Sequence, residues 1–345
     1  MTRSMVDVGA LLADVTVDVR PLIEDHLADR EPDVWLWDLV RDYPSRTGKS
    51  IRPALCLLAS RVFGGGPGDA LVSAAAIELL HNAFLVHDDI ADASELRRGA
   101  PTLHELAGVP LALNAGDALV MAALGLLERN REVLGPRLAA RVLDEFHVML
   151  QHTVEGQAIE LGWRRDVVVD LDPNDYLDLI MRKTCWYTTI HPLRTGMLVG
   201  SLRVPEPDDL VHFGLCLGAV FQIRDDLLNL VGDEARYGKE ILGDLYEGKR
   251  TLILIHLLGE VSPAERSMIV DGFLTKPRSA RTRDEVEHLA QLMHEMGSIE
   301  FAAEFADGIR RSADDAFDRA FAGTPESDDK DLLRSLVDFM LDRQS

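Results

Sequence analysis

Two clusters of oxygen-bearing side chains are spaced for joint chemistry. Asp88, Asp89 and Asp92 close the apolar run ALVSAAAIELLHNAFLVHDDIAD, and Asp225, Asp226 and Asn229 close the run LVHFGLCLGAVFQIRDDLLN. Residues four apart on a helix lie one above the other, so Asp88 and Asp92 share a face, as do Asp225 and Asn229. Carboxylates at that spacing repel, and the negative end of the helix dipole makes a C-terminal position worse, so a cation should compensate. An all-oxygen donor set without a Cys or His cluster suits Mg2+, which keeps several waters and shares its shell with substrate phosphates. One acidic pair at a helix end is ordinarily a solvated terminus; two equivalent pairs weaken that explanation sharply.

Both clusters are followed by bases: Arg97 and Arg98 after the first, Lys239, Lys249 and Arg250 after the second. Upstream, Lys49 and Arg52 stand in GKSIRP, a loop-like setting where cations meet phosphate oxygens by charge-assisted hydrogen bonds. Metal and cations together point to a diphosphate. A nucleotide-binding P-loop does not fit, because its first Gly would fall at Tyr43 and Pro53 should spoil the following helix. A di-iron bundle would need two Glu-x-x-His pairs, and Glu78 and His81 find only Asp144 and His147 as an imperfect second. GxSxG, HExxH and CxxC are all missing, which leaves serine hydrolase, zinc protease and dithiol chemistry without a foothold.

These clusters need a frame. Among 345 residues 47% are hydrophobic and only 6% aromatic, a balance that favours helices. The two acid-tipped runs are apolar almost all round and should be central helices of a bundle. No period-two alternation argues for a sheet, so the expectation is an all-α protein with one domain over residues 1–345. Two breaks stand out: FGGGPGD at residues 63–69, where Asp69 is a plausible N-cap for the next helix, and residues 261–283, read as a surface crossover. A net charge of −22 disfavours nucleic acid and anionic membrane surfaces as partners. Val109 to Leu127 is the nearest thing to a membrane span, but Asn114 and Asp117 interrupt it, and a buried bundle helix is the more economical reading. Cys56, Cys185 and Cys216 lie in apolar stretches and suit buried reduced thiols; with no export signal visible, the cytoplasm is expected.

The segment ELLHNAFLVHDDIADASELRRGAPT resembles the first aspartate-rich motif of the trans-isoprenyl diphosphate synthases (the polyprenyl synthetase family), and FQIRDDLLNLVGDEARYGKEILGDLYEGKRT resembles the second. GKSIRP, GQAIEL and KTCWYTTIHPLRTG are similar to further elements of that family, in family order from about Gly48 to Thr251. The resemblance implies an isoprenoid synthase bundle around a deep central cavity, usually a homodimer, joining an allylic diphosphate to isopentenyl diphosphate. Position by position, it implies that Asp88 and Asp92 ligate two Mg2+ ions and Asp225 a third, with Asp89 and Asp226 as indirect partners. Arg97, Lys183 and Lys239 match positions that grip the allylic diphosphate; Lys49, Arg52, His81 and Arg98 match those that hold isopentenyl diphosphate. Thr184 and Gln222 match polar residues beside the reacting carbons.

One departure is Asn229, where the family's second motif usually ends in Asp; with Asp225 intact, activity is expected to survive. Phe84 lies one helical turn below Asp88, with Ala83 beside it and Leu80 a turn further, so these three are read as the floor that sets product length. The small Ala83 suggests a twenty-carbon product, geranylgeranyl diphosphate, over the farnesyl alternative. Other readings on the same fold are a terpene cyclase or a non-catalytic subunit, neither of which has use for the full set Lys49, Arg52, His81 and Arg98. His87 is expected to be a hydrogen-bonded core residue, Asp244 to assist the third metal or orient Lys239, and ESDDKD to be a solvated loop.

Overall fold

The computed structural model describes residues 7–46, 48–201, 208–232 and 241–341, and they are overwhelmingly helical. The chain divides into two compact units, the first made of residues 1–149, 187–211 and 320–339, the second of residues 150–186, 212–319 and 340–345. The second acid-tipped run therefore belongs to the second unit, apart from its first two residues, and the first run to the first.

In the first unit α1 (Val8–Leu27) and α2 (Asp38–Ser45) lead to α3 (Ile51–Val62) and α4 (Leu71–Asp92). Pro53 does not spoil α3, contrary to the argument used against a P-loop. It stands in the first turn, where no intrahelical partner for its missing N–H is needed. Asp69 does not cap α4: its carboxylate accepts from the Gly66 amide at 2.8 Å within the preceding turn, and Ala70 holds the cap position without a side-chain bond. α4 is built from strong helix formers and, as expected, is buried along most of its length, from Val72 to Asp92.

α4 stops where Ala93 turns left-handed at φ 52°, and the Ser94 amide reaches back to the Asp89 carbonyl at 3.0 Å. A two-stranded hairpin follows, β1 (Leu96–Arg97) against β2 (Ala100–Pro101), with Arg98 and Gly99 both at positive φ in the turn. Positive φ at both central residues matches the right-handed twist of a two-residue hairpin. This ribbon lies outside the all-helix expectation, and it folds Arg97 back onto the end of α4.

After α5 (Leu103–Ala107), α6 (Val109–Leu127) packs on α4 and buries Ala112, Ala115, Gly116 and Leu119; a Cβ at Gly116 would sit 2.3 Å from His87 Nε2. α6 is not buried all round as expected: Val109, Leu111, Leu113 and Met121 remain exposed, Met121 at 73%. The stretch Val109–Val133 is long and apolar enough to cross a membrane, with 39% of its most apolar window buried within the chain.

The chain continues through α7 (Asn130–Val133) and the long α8 (Gly135–Arg165), which passes from the first unit into the second. α9 (Pro173–Ile180) opens on a capping box between Asp172 and Asp175 and runs into a ten-residue π-helical stretch, Met181–Ile190. α10 (His191–Ser201) then packs against α3 at backbone distance, because Gly196 and Gly200 leave room for the Cys56 and Ser60 carbonyls. In the second unit come α11 (Asp208–Val231), the short α12 (Gly243–Glu247) and α13 (Leu252–Glu260). Residues 261–283, expected as a crossover, include the helix α14 (Pro263–Ile269), started by a Ser262–Glu265 capping box. α15 (Arg283–Glu295), α16 (Ser298–Ala320) and α17 (Asp328–Leu341) complete the chain. Cys56, Cys185 and Cys216 are buried, as expected.

Candidate active site

In the first unit the acidic cluster is anchored from within. Asp89 is 1% exposed; the buried Tyr43 hydroxyl of α2 donates to its Oδ2 at 2.5 Å, and the Arg97 guanidinium from the hairpin donates to both oxygens, with Nε at 2.9 and 3.2 Å. Burial works against the Arg97 charge, but the Asp89 carboxylate outweighs it and lifts the guanidinium above its usual range. Burial and that carboxylate likewise push the Tyr43 phenol up. Asp89 is thus committed inward, while Asp88, half-buried, and Asp92, 6% exposed, belong to other faces of the last α4 turn. Arg97, expected on a diphosphate, holds Asp89 in this structure.

A cationic set gathers beside α3 and α4. Arg52 donates from Nη2 to Thr188 Oγ1 at 2.9 Å, lies 3.2 Å from His81 Nε2 through Nη1, and stacks 4.6 Å above the Tyr187 ring. Arg98 reaches the Arg46 carbonyl at 3.2 Å, the Asn82 carboxamide oxygen at 3.4 Å, and the space beside Gly48, where a Cβ would meet its Nη2 at 2.9 Å. Beneath this set lies Glu78: burial raises its carboxyl, while Arg52 and Arg98 pull it back. Arg52 thus meets His81, and Arg98 meets the Gly48 backbone next to exposed Lys49.

Leu80, Ala83 and Phe84, the three residues read as a floor, lie on α4. Leu80 is 2% exposed and Ala83 fully buried, whereas Phe84 keeps accessible surface and meets the Tyr187 ring edge-on at 5.5 Å. His87 is less enclosed than expected, its side chain 32% exposed and 3.4 Å from Asp117 Oδ1.

The second unit repeats the anchoring. Asp226, 8% exposed, accepts from the buried Tyr176 hydroxyl of α9 at 2.7 Å and from Gln222 Nε2 at 2.7 Å. Thr184 Oγ1 donates to the Gln222 oxygen at 3.0 Å, so Thr184, Gln222, Asp226 and Tyr176 form one hydrogen-bonded chain. Burial lifts the Asp226 carboxyl well above the usual range, Asp244 adds to this, and the Tyr176 and Gln222 donors oppose it. Lys183 donates to Glu160 Oε1 at 2.7 Å. Its backbone lies against Gly156 of GQAIEL, where a Cβ would come within 2.3 Å of the Lys183 nitrogen. Asp244 accepts from Lys249 Nζ at 3.1 Å; Lys239, the other partner expected for it, lies outside the described residues.

Sequence reasoning missed Tyr43, Tyr176, Glu78, Glu160 and Tyr187 as parts of these sets. Tyr187 and Glu160 stand inside quoted motifs, and Glu78 shares a face with His81 and Asn82; nothing near Tyr43 or Tyr176 in the sequence marks them. Among the described residues no three His, Cys, Asp or Glu side chains gather closely enough to hold an ion by themselves. One or two carboxylates suffice where phosphate oxygens and water complete the shell, so this donor set fits Mg2+ carried with a diphosphate.

Residues 33–293 match the family model described as Polyprenyl synthetase. The chain is 34% identical to a short chain isoprenyl diphosphate synthase of Methanothermobacter thermautotrophicus, over 86% of this chain and 87% of that protein. It is 32% identical to a geranylgeranyl diphosphate synthase of Sulfolobus acidocaldarius, over 79% and 80% respectively. The crystal structure of a geranylgeranyl pyrophosphate synthetase from Pyrococcus horikoshii superposes with a TM-score of 0.83 at 30% identity, covering 97% of this chain and 99% of that one. The chain belongs to the polyprenyl synthetase family.

Proposed function

We propose that this chain condenses isopentenyl diphosphate with an allylic diphosphate in a Mg2+-dependent reaction and releases geranylgeranyl diphosphate. As a family member it is a prenyltransferase acting on isoprenoid diphosphates. The observation that carries the finer reading is the completeness of the polar sets: two anchored acidic helix ends, and the cations that two diphosphates would need, in a chain of net charge −22.

Asp88, Asp92 and Asp225 would hold Mg2+, which supplies positive charge to the departing diphosphate. Lys183, held on Glu160, is a cation for the allylic diphosphate, as is Lys239, and Arg97 keeps Asp89 in place in the same helical turn as Asp88. Arg52, His81, Arg98 and Lys49 bind isopentenyl diphosphate. The allylic carbon–oxygen bond breaks, and its electron pair leaves with the diphosphate. The isopentenyl double bond attacks the resulting cation near the Thr184–Gln222 pair, whose fixed dipoles cost no reorganisation. A proton then passes to the released diphosphate. No protein nucleophile takes part.

Support for the twenty-carbon length comes from the small Ala83 and from the names of the Sulfolobus and Pyrococcus proteins. A homodimer is supported by the exposed apolar side of α6, with Val109, Leu113 and Met121, which a second copy would cover. Three cysteines buried in apolar surroundings support the cytoplasm as location. Incubation of purified protein with Mg2+, isopentenyl diphosphate and each allylic primer, followed by sizing of the products, tests the function. A twenty-carbon diphosphate is expected, and failure to elongate any primer would refute it.

A further inference from the structure

The end of α11 and the start of α12 are tied together by one residue. The Asn229 main-chain carbonyl accepts from the Leu242 amide at 2.8 Å, and its carboxamide oxygen accepts from the Asp244 amide at 3.0 Å, across 15 positions of sequence. Both bonds solve local problems. A carbonyl in the last turn of a helix has no intrahelical donor, and an amide in the first turn of α12 has no intrahelical acceptor; Leu242, which precedes α12, offers no side-chain cap. Leu242 itself sits at φ 66°, a left-handed conformation that a branched residue adopts only when its surroundings hold it there. The two Asn229 bonds fall on either side of that strained residue.

The tie is buried: Asn229 is 5% exposed. It also fixes side chains with charge. Asp244 carries Lys249 on its Oδ1 at 3.1 Å, the Lys249 amide bonds the Asp244 carbonyl at 2.9 Å, and Glu247 takes the same ammonium at 2.6 Å. At the far end of α12, Arg281 donates to the Tyr246 carbonyl at 2.7 Å and to the Leu245 carbonyl at 3.3 Å. The short helix is therefore held at its start by Asn229 and at its end by Arg281.

We infer that Asn229 is a positioning residue whose carboxamide clasps the returning chain and so places Asp244 and Lys249 beside the second acidic cluster. In this assignment its oxygen is spent on the Asp244 amide, which accounts for an amide where the motif usually ends in a carboxylate: the acceptor is kept without adding negative charge to Asp225, Asp226 and Asp244. The kinetic consequence rests on the prenyl-transfer reading above; the clasp itself does not.

Hydrogen exchange of the metal-free full-length protein separates the two. Asn229→Ala is expected to speed exchange of the Leu242 and Asp244 amides about five- to tenfold, the effect of one lost hydrogen bond on a local opening. Asn229→Asp, which keeps the acceptor, is expected to leave those amides protected. In steady-state assays Asn229→Ala should raise the Mg2+ concentration for half-maximal rate severalfold more than it raises the KM for isopentenyl diphosphate. Wild-type exchange in Asn229→Ala overturns the clasp. So does equal deprotection in Asn229→Ala and Asn229→Asp while distant amides stay native. Selective deprotection in a protein that fails to elongate any primer would support the clasp and refute the function on which the kinetic arm rests.

Discussion

Gly156→Ala probes how α8 positions Lys183. A Cβ at residue 156 would lie 2.3 Å from the Lys183 nitrogen and 2.7 Å from its Cα, whereas ordinary contact begins at 3.4 Å. Both neighbours are main-chain atoms, so no side-chain rotation relieves the clash, and Lys183 must move by about 1 Å, a displacement that costs on the order of a hundredfold when it misplaces a reacting group. Overpacking of this kind also costs about 1–3 kcal/mol of stability. In a chain of this length, each kcal/mol corresponds to roughly 1–2 °C in Tm. The assay is the rate of labelled isopentenyl diphosphate incorporation at saturating Mg2+, with circular dichroism melting to confirm that the variant is folded. The expected kcat/KM is down on the order of a hundredfold, and Lys183→Ala should make the second change nearly silent, because both act on one ammonium group. A folded Gly156→Ala with kcat/KM within twofold of wild type would refute this reasoning, as would effects that multiply fully in the double variant.

Four further outcomes follow from the same geometry. Asp88→Ala or Asp225→Ala should each lower condensation on the order of a hundredfold or more, as removal of a charge-stabilising group does, and near-normal turnover would refute the metal assignment. Phe84→Ala, which removes the one floor side chain of the three with accessible surface, should lengthen the products seen by chromatography; an unchanged product spectrum would count against a steric floor. Tyr176→Phe removes a donor to the Asp226 carboxylate and should lower thermal stability by about 1–3 kcal/mol; an unchanged melting temperature would refute the anchoring role. His191 is buried, and burial, with Arg194 adding to it, lowers its pKa from 6.5 to about 3. The unfolded chain therefore binds the extra proton between those values, so stability is complete above pH 6.5 and falls as pH drops toward 3, with a slope of up to about 1.4 kcal/mol per pH unit. His191→Leu should remove that share of the acid sensitivity in denaturant titrations at pH 7 and pH 4.5, and an identical loss in both proteins would contradict it.

Much of the helical frame was legible because its signals are local. Apolar runs ending in Asp88, Asp89 and Asp92, or in Asp225 and Asp226, define long buried helices by composition alone, and α4 and α11 follow them closely. Turn chemistry was harder. Asp69 has the right type and place for a cap, yet its carboxylate serves the Gly66 amide, and the two choices differ only in backbone torsions that sequence does not display. The Arg98–Gly99 hairpin escaped notice because Arg is an unusual residue for a left-handed turn position. The anchoring tyrosines were illegible for another reason: Tyr43 lies 46 positions from Asp89 and Tyr176 lies 50 from Asp226, so each partnership exists only once helices have packed. Asn229 was visible as a departure, but its work as a clasp depends on a contact 15 positions away.

Equilibrium dialysis of Mn2+, with inorganic pyrophosphate on both sides of the membrane and protein on one, tests the central claim most directly. Because no described group of side chains can hold an ion unaided, the account predicts weak retention by protein alone and retention at least roughly tenfold stronger with pyrophosphate present. That gain should be lost in Asp88→Asn and in Asp225→Asn. Tight binding without pyrophosphate, or a pyrophosphate-dependent gain that survives both substitutions, would contradict it.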